Sequence, residues 1–201
     1  MKKYQLNNFG LFLCFVVLIL ASCTAEFVPD PIDPRLPKYT EDGNNVAGAY
    51  VGDNIWESSV TIGFPYYASD KPSIKVWQEK DSLRLRFVGN VDKEQLAIEF
   101  HLTELGMIQF EDLINLNGQK ISLDGTNNLA YLKANYLSST NNKGIGQVYF
   151  RNVRHSKDKS SIIISGTFGF ALSDYYEYPL KVRSGRFDYR IYETDFNPEE
   201  N

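Results

Sequence analysis

Strict alternation of apolar and polar residues marks several segments of this chain as β-strands. Residues 83–87 alternate Leu, Arg, Leu, Arg and Phe, and this period of two is typical of a strand with one buried face. Residues 96–103 alternate in the same way, which favours a strand over a helix that would start at Asp92. No segment after Val46 has the periodicity of a long amphipathic helix.

Turn residues separate these strands. Gly52-Asp53 predicts a type II′ hairpin turn between strands at 46–51 and 54–56, and Asn117-Gly118 predicts a second hairpin between 113–116 and 120–123. Other predicted strands lie at 74–77, 131–137, 146–154, 161–172 and 180–192. Nine to eleven short strands predict an all-β domain, either an antiparallel β-sandwich or a closed or flattened meander barrel.

The predicted strand at 161–172 has one face of mostly small residues. Its larger side chains and Gly166 share one face, whereas the other face carries Ile163, Ser165, Thr167, Gly169 and Ala171. Small side chains allow a close approach, either of a second sheet at a barrel bend or of a ligand. We favour packing, because glycine within a strand usually has a geometric cause.

The N-terminus has the pattern of a lipoprotein signal peptide. Lys2 and Lys3 precede an apolar run that ends in Leu20-Ala21-Ser22-Cys23, a bacterial lipobox. The run is shorter than the roughly 20 apolar residues of a spanning helix. We therefore predict a signal peptide at 1–22 and a membrane anchor made by lipidation (diacylglycerol, palmitate-type chains) of Cys23.

The prolines that follow predict an extended spacer. Residues 23–38 contain prolines at 29, 31, 34 and 37, a density that favours polyproline II structure. The predicted organisation is thus a signal peptide, a lipidated cysteine with a Pro-rich tether at 23–38, and a single β-rich domain at 39–201.

Charge and cysteine content exclude several classes of function. The formal charge is −4 and becomes more negative once Lys2 and Lys3 are removed, which argues against nucleic acid as a partner. Cys14 lies in the signal peptide and Cys23 is lipidated, so the domain keeps no thiol for a disulfide, a zinc site or a nucleophile.

The remaining chemistry-bearing residues form no recognisable catalytic pattern. His101 and His155 are the only histidines, and both are predicted at the surface. Glu111-Asp112 would point to opposite faces of a strand, unlike a glycosidase pair. The oxygen-rich stretches 41–45 and 124–128 lack the spacing of a calcium loop and contain the usual turn residues. We expect no enzyme activity, no metal and no cofactor.

Aromatic residues are the best candidates for a binding surface. Flat rings with polar neighbours suit sugars or a partner protein, although the same residues could simply pack on the domain's rim. The candidate ligand or partner contacts are Tyr66, Tyr67, Trp77, Tyr175, Tyr176 and Tyr178. No basic cluster accompanies the tyrosines, which makes an anionic ligand the less expected kind.

Two motifs resemble an uncharacterised family of Bacteroidota envelope lipoproteins. The first comprises Leu36-Pro37, Thr40, Gly43, Asn45, Gly48, Val51 and Trp56, and the second comprises residues 165–170 with Gly185-Arg186-Phe187-Asp188. The chain departs from the family at Ala49, where members often have cysteine, and at Gly52-Asp53, where they often have Asn-Gly. The resemblance implies a β-rich envelope domain and no activity.

These observations together predict an outer-membrane lipoprotein that faces the periplasm or the cell surface. The expected function is non-catalytic binding of a small molecule, such as an apolar ligand, or of a glycan. The alternative is a structural or accessory subunit that docks on another envelope protein. In either case the lipid on Cys23 provides the contact with the membrane.

Overall fold

The computed structural model describes residues 35–58, 62–63, 66–67, 72–77, 81–106, 109–134, 143–172 and 179–198, all of which lie in one compact unit, Ile32–Asn201. Their strands are β1 (Val46–Val51), β2 (Asn54–Ser58), β3 (Ile62–Gly63), β4 (Tyr66–Tyr67), β5 (Ser73–Trp77), β6 (Ser82–Val91), β7 (Glu94–Thr103), β8 (Lys120–Leu123), β9 (Leu129–Ala134), β10 (Gly144–His155), β11 (Ile162–Leu172), β12 (Leu180–Ile191) and β13 (Phe196–Pro198). The all-β prediction is confirmed.

Eight antiparallel strands close into a barrel. They follow the order β6-β2-β1-β12-β11-β10-β9-β7, and β7 pairs back with β6 to complete the ring. β6 is long enough to pair with β2 near its end and with β5 near its start. β13 adds to β5 in parallel, β8 pairs with β10, and β3 pairs only with β4. Of the two architectures left open by the sequence, the barrel is the one observed.

The two strongest strand patterns are confirmed as neighbours. Residues 82–91 of β6 pair along their whole length with 94–103 of β7. A tight turn at Asp92 and Lys93, both with positive φ, joins them. The segment after Asp92 is thus a strand, as predicted, and not the alternative helix. The hairpin between β1 and β2 is also confirmed, and Gly52 in its turn has a φ of +61°.

The predicted hairpin at Asn117-Gly118 is wrong on its first side. Residues 113–116 belong to a 3₁₀ helix, Phe110–Leu116, whose buried side chains are Phe110, Leu113 and Leu116. This spacing of three matches the three residues per turn of a 3₁₀ helix. A second 3₁₀ helix is Glu193–Asp195. Among the described residues, no helix combines the length and apolarity that a membrane span requires.

Candidate functional site

Aromatic side chains fill the interior of the barrel. The ring of Phe87 lies 5.4 Å from those of both Phe187 and Tyr189 and 6.2 Å from that of Phe100. Phe168 lies 5.3 Å from Phe100, and all five rings are at least 95% buried. Inward-facing rings at these distances form a packed core. A ligand site is therefore better sought on the outside of the barrel.

Residues 36–45, here called the strap, run over the outer surface of β1, β12 and β11 and are held there by Asp188. This buried carboxylate accepts hydrogen bonds from the Thr40 hydroxyl (2.5 Å), from the backbone N–H groups of Gly43 (2.8 Å) and Asn44 (3.1 Å), and from the Ser165 hydroxyl (2.8 Å). Burial would raise the pKa of Asp188, but these donors outweigh it and hold the pKa below its ordinary value.

The strap also makes further hydrogen bonds with β10 and β12 and a close steric contact with β1. A Cβ on Gly48 would lie 2.4 Å from Cδ of Pro37, so only glycine lets the strap approach β1 this closely. Asn45 turns the chain with a φ of +57° and accepts a hydrogen bond of 2.9 Å from the N–H of Arg190. On β11, Ser165 and Ile163 lie beneath the strap, so the outer face of that strand is closely packed at these two positions.

The motifs that resemble the lipoprotein family thus meet at one place. Thr40, Gly43 and Gly48 come from the first motif, and Ser165 and Asp188 come from the second. Their contacts fasten the strap to the barrel. These residues have a structural role in this chain.

A surface depression of about 390 Å³ lies beside the start of the strap. It is lined by Arg35, Tyr50, Asp53, Arg183 and Ser184. The guanidinium carbon of Arg35 is 5.2 Å from the centre of the Tyr50 ring, and that of Arg183 is 5.8 Å from it. An aromatic ring therefore lies within cation–π distance of two arginines in a concave surface.

A β-bulge shapes the depression. Tyr50 lies opposite Arg183 and Gly48 lies opposite Arg186, so one residue of β1 faces two residues of β12. Within the bulge, Ser184 has a φ of +51°, which is uncommon for a residue with a side chain. Bulges redirect side chains and are frequent near functional sites. Here the bulge directly follows Arg183, the residue that faces Tyr50.

Arg183 is held by weak, replaceable partners. Its Nη2 donates to the carbonyl oxygen of Gly52 at 2.8 Å and to Oδ1 of Asp53 at 3.2 Å. The Asp53 side chain is fully exposed, and exposed ion pairs contribute little to stability because water and salt screen them. An acidic group from outside could take the place of Asp53 at small cost.

A second cluster surrounds Glu99 on the outer face of β7. Oε1 of this carboxylate, whose side chain is 1% exposed, lies 2.6 Å from both Nε2 of His101 and Nζ of Lys133. Oε2 lies 3.9 Å from Nε of Arg86, and neither atom makes a hydrogen bond. Burial would raise the pKa of Glu99, but the bonds from His101 and Lys133 outweigh it and lower the pKa to about 2.

The side chains of the candidate residues predicted from the sequence lie outside the described part of the structure. Tyr66 and Tyr67 form β4 and Trp77 ends β5, but their side chains lie outside the described part of the structure. Tyr175, Tyr176, Tyr178 and Cys23 lie wholly outside it. Their proposed roles stay predictions.

The two histidines occupy separate sites. His101 contacts Glu99, whereas Nε2 of His155 lies 3.4 Å from Glu111. Within the described ranges, no group of three or more His, Cys, Asp or Glu side chains could hold a metal ion. Asp124 caps its own turn, since Oδ1 accepts the N–H groups of residues 126, 127 and 128.

Sequence reasoning missed the pair of Tyr50 and Arg183. The two residues lie on strands that meet only through the long-range register of β1 with β12. The available signal was Gly185, since a glycine inside a strand pattern often marks a bulge.

Comparison with known proteins gives no further information on the site, because no family model, curated protein or solved structure matches this chain.

Proposed function

We propose that this chain is an envelope lipoprotein, anchored through Cys23, whose β-barrel is a non-catalytic binding module. Its ligand is a small molecule or short glycan that carries an acidic group, and it binds outside the barrel, in the depression at Tyr50. The observation that carries this proposal is the placement of two guanidinium groups at 5.2 and 5.8 Å from one tyrosine ring in a concave surface.

The chemistry of the depression suits such a ligand. Guanidinium groups bind carboxylates and phosphates through paired hydrogen bonds. The Tyr50 hydroxyl and ring can contact the polar edge and the flat face of a sugar. The ligand's acid would replace Asp53 on Arg183, and binding would require no change in the packed barrel.

An alternative is a docked accessory subunit. The observation that favours this alternative is Ile145 on β10, a large apolar residue that is 57% exposed. A single exposed residue is much smaller than a stable interface, however, and so this candidate ranks second.

The proposal is tested by titrating the full chain, purified in detergent, with glucuronate, glucose 6-phosphate and glucose by calorimetry. We expect the two acidic sugars to bind and glucose to bind at least about tenfold more weakly, the effect of losing one charge-assisted contact. Arg183→Ala should abolish the difference. Arg183→Lys should restore it only in part, because an ammonium lacks the planar fork of a guanidinium.

Lys120→Ala is the matched control. The Lys120 ammonium also lies close to a tyrosine ring, 4.9 Å from that of Tyr149, but Lys120 is on β8 and does not line the depression. This variant should bind like the wild type. Equal affinity for glucose and glucuronate, or equal losses in the Arg183 and Lys120 variants, would rule out the depression as the site.

A further inference from the structure

The outer face of β5, β6, β7 and β9 carries a two-dimensional array of cations. Cross-strand register places Lys75 opposite Arg84 and Arg84 opposite His101. In the next row, Arg86 lies opposite Glu99 and Glu99 opposite Tyr131, and Lys133 follows in β9. These side chains face outwards because the alternating residues, among them Ile74, Leu83, Leu85, Ile98 and Phe100, are buried in the core.

This cationic face stands out against the charge of the whole chain. Among the described residues on this face of the four strands are Lys75, Arg84, Arg86 and Lys133 and one carboxylate, that of Glu99, a formal charge of +3 with His101 neutral. The chain as a whole has a formal charge of −4. A local concentration of one sign within an oppositely charged protein attracts ligands of the opposite sign to that surface.

Glu99 organises the face. Its buried Oε1 holds His101 and Lys133 at 2.6 Å each, while the side chains of Arg86, His101 and Lys133 stay 33%, 29% and 30% exposed. Arg86 approaches Glu99 only to 3.9 Å without a hydrogen bond. His101 and Lys133 are thereby held in position and still accessible, which lowers the ordering cost of binding to them.

We infer that this face binds an acidic polysaccharide, such as a chain of uronic acids, in an extended conformation. Neighbouring strands lie about 4.8 Å apart, so the side chains within one row stand at short, regular intervals. Tyr131 adds a ring in the same array, 5.1 Å from both His101 and the Lys133 ammonium. A flat array of cations around a ring suits a sugar chain whose rings carry carboxylates.

A protein partner is less compatible with this face. Protein interfaces depend on a few large apolar or aromatic anchors. Among the side chains that the structure describes, the exposed large hydrophobic ones are those of Ile145 and Tyr192, and neither lies on the face. The strap covers β12 and β11, which lie across the ring from β6 and β7, so the face is on the far side of the barrel from the strap.

The test measures binding of oligogalacturonate to the full chain in detergent, with dextran of equal length as the neutral probe. The double variant Lys75→Gln/Arg84→Gln removes two charges of the face. The ion pairs of Glu99 with Arg86, His101 and Lys133 stay in place. Its matched control, Lys38→Gln/Lys157→Gln, removes two charges from exposed positions elsewhere. We expect oligogalacturonate to bind about five- to tenfold more weakly to the first variant than to the control, the effect of two exposed charge contacts.

The same titration at higher salt should weaken the wild type more than the face variant, because fewer charges remain to be screened. If the double variant unfolds, the single variant Arg84→Gln provides the same comparison. No binding of oligogalacturonate, equal binding of dextran, or equal loss in the control would overturn the inference. Preference for phosphatidylglycerol vesicles or for poly-glutamate would also overturn it and assign the face to a membrane or a protein. Arg183→Ala should leave this binding unchanged, which separates the inference from the proposed function.

Discussion

Thr40 and Asp188 are 148 positions apart in the chain, yet the hydroxyl of Thr40 donates a hydrogen bond of 2.5 Å to the Asp188 carboxylate. The Ser165 hydroxyl and the backbone N–H groups of Gly43 and Asn44 also donate to Asp188. Together these hydrogen bonds fasten the strap to the barrel. The strap in turn brings Arg35 to the edge of the depression. We therefore expect the proposed ligand binding to depend on the integrity of the strap.

Asp188→Asn should destabilise the protein by roughly 2–4 kcal/mol, because an amide group would face several N–H donors that now share a carboxylate. The measurement is the free energy of unfolding in urea. Asp53→Asn makes the same chemical change at a fully exposed site and should leave stability unchanged. Equal effects of the two substitutions would show that Asp188 does not fasten the strap.

Gly48→Ala should loosen the strap and cost about 1–3 kcal/mol, because the new Cβ would overlap Pro37 at 2.4 Å. Gly169→Ala is the control, since a Cβ there would meet its nearest neighbour at an ordinary 3.4 Å. Limited proteolysis should cleave near residues 36–45 faster in the first variant. Unchanged cleavage and stability would contradict the close contact.

Acid should destabilise the barrel partly through Glu99. The folded-state pKa of about 2 lies below the ordinary value of 4.5, so the stabilisation is fully present above about pH 4.5 and is lost as the pH falls towards 2. Stability measured from pH 6 to pH 2 should therefore fall less steeply in Glu99→Gln than in the wild type. Parallel curves would show that the His101 and Lys133 bonds do not favour the ionised carboxylate.

Cys23→Ser should release the protein from the membrane and leave the barrel folded, because lipidation of Cys23 is the proposed anchor. Membrane fractionation followed by a high-salt wash tests the anchor, and thermal unfolding tests the fold. A variant that stays in the washed membrane fraction would contradict the lipoprotein proposal.

Local patterns predicted the strands well because strand periodicity records which face is buried. Residues 83–87 are a clear case, since Leu83, Leu85 and Phe87 all enter the core. The same reasoning failed at residues 113–116, where a short apolar run before Asn-Gly was assigned to a strand. The buried residues of the 3₁₀ helix there are Phe110, Leu113 and Leu116, which are spaced three apart. Four residues are too few to distinguish this period from the period of two of a strand.

The candidate sites depend on long-range register, which short-range patterns do not contain. The alternation around Glu99 correctly placed it on the outer face of its strand, but its contact with Lys133 depends on the pairing of β7 with β9. Similarly, the contact between Tyr50 and Arg183 depends on the pairing of β1 with β12. The bulge at Ser184 sets the alignment of these two strands. The sequence therefore predicted the strands of the barrel better than its candidate sites.

The most direct test of a ligand site outside the barrel is chemical-shift mapping of the isotope-labelled full chain, in detergent, during titration with glucuronate. The proposal predicts saturable shifts at the amides of Tyr50, Asp53, Arg183 and Ser184, with little change at core residues such as Phe87 and Phe187. Shifts concentrated at the core residues, or no saturable shift around the depression, would contradict it.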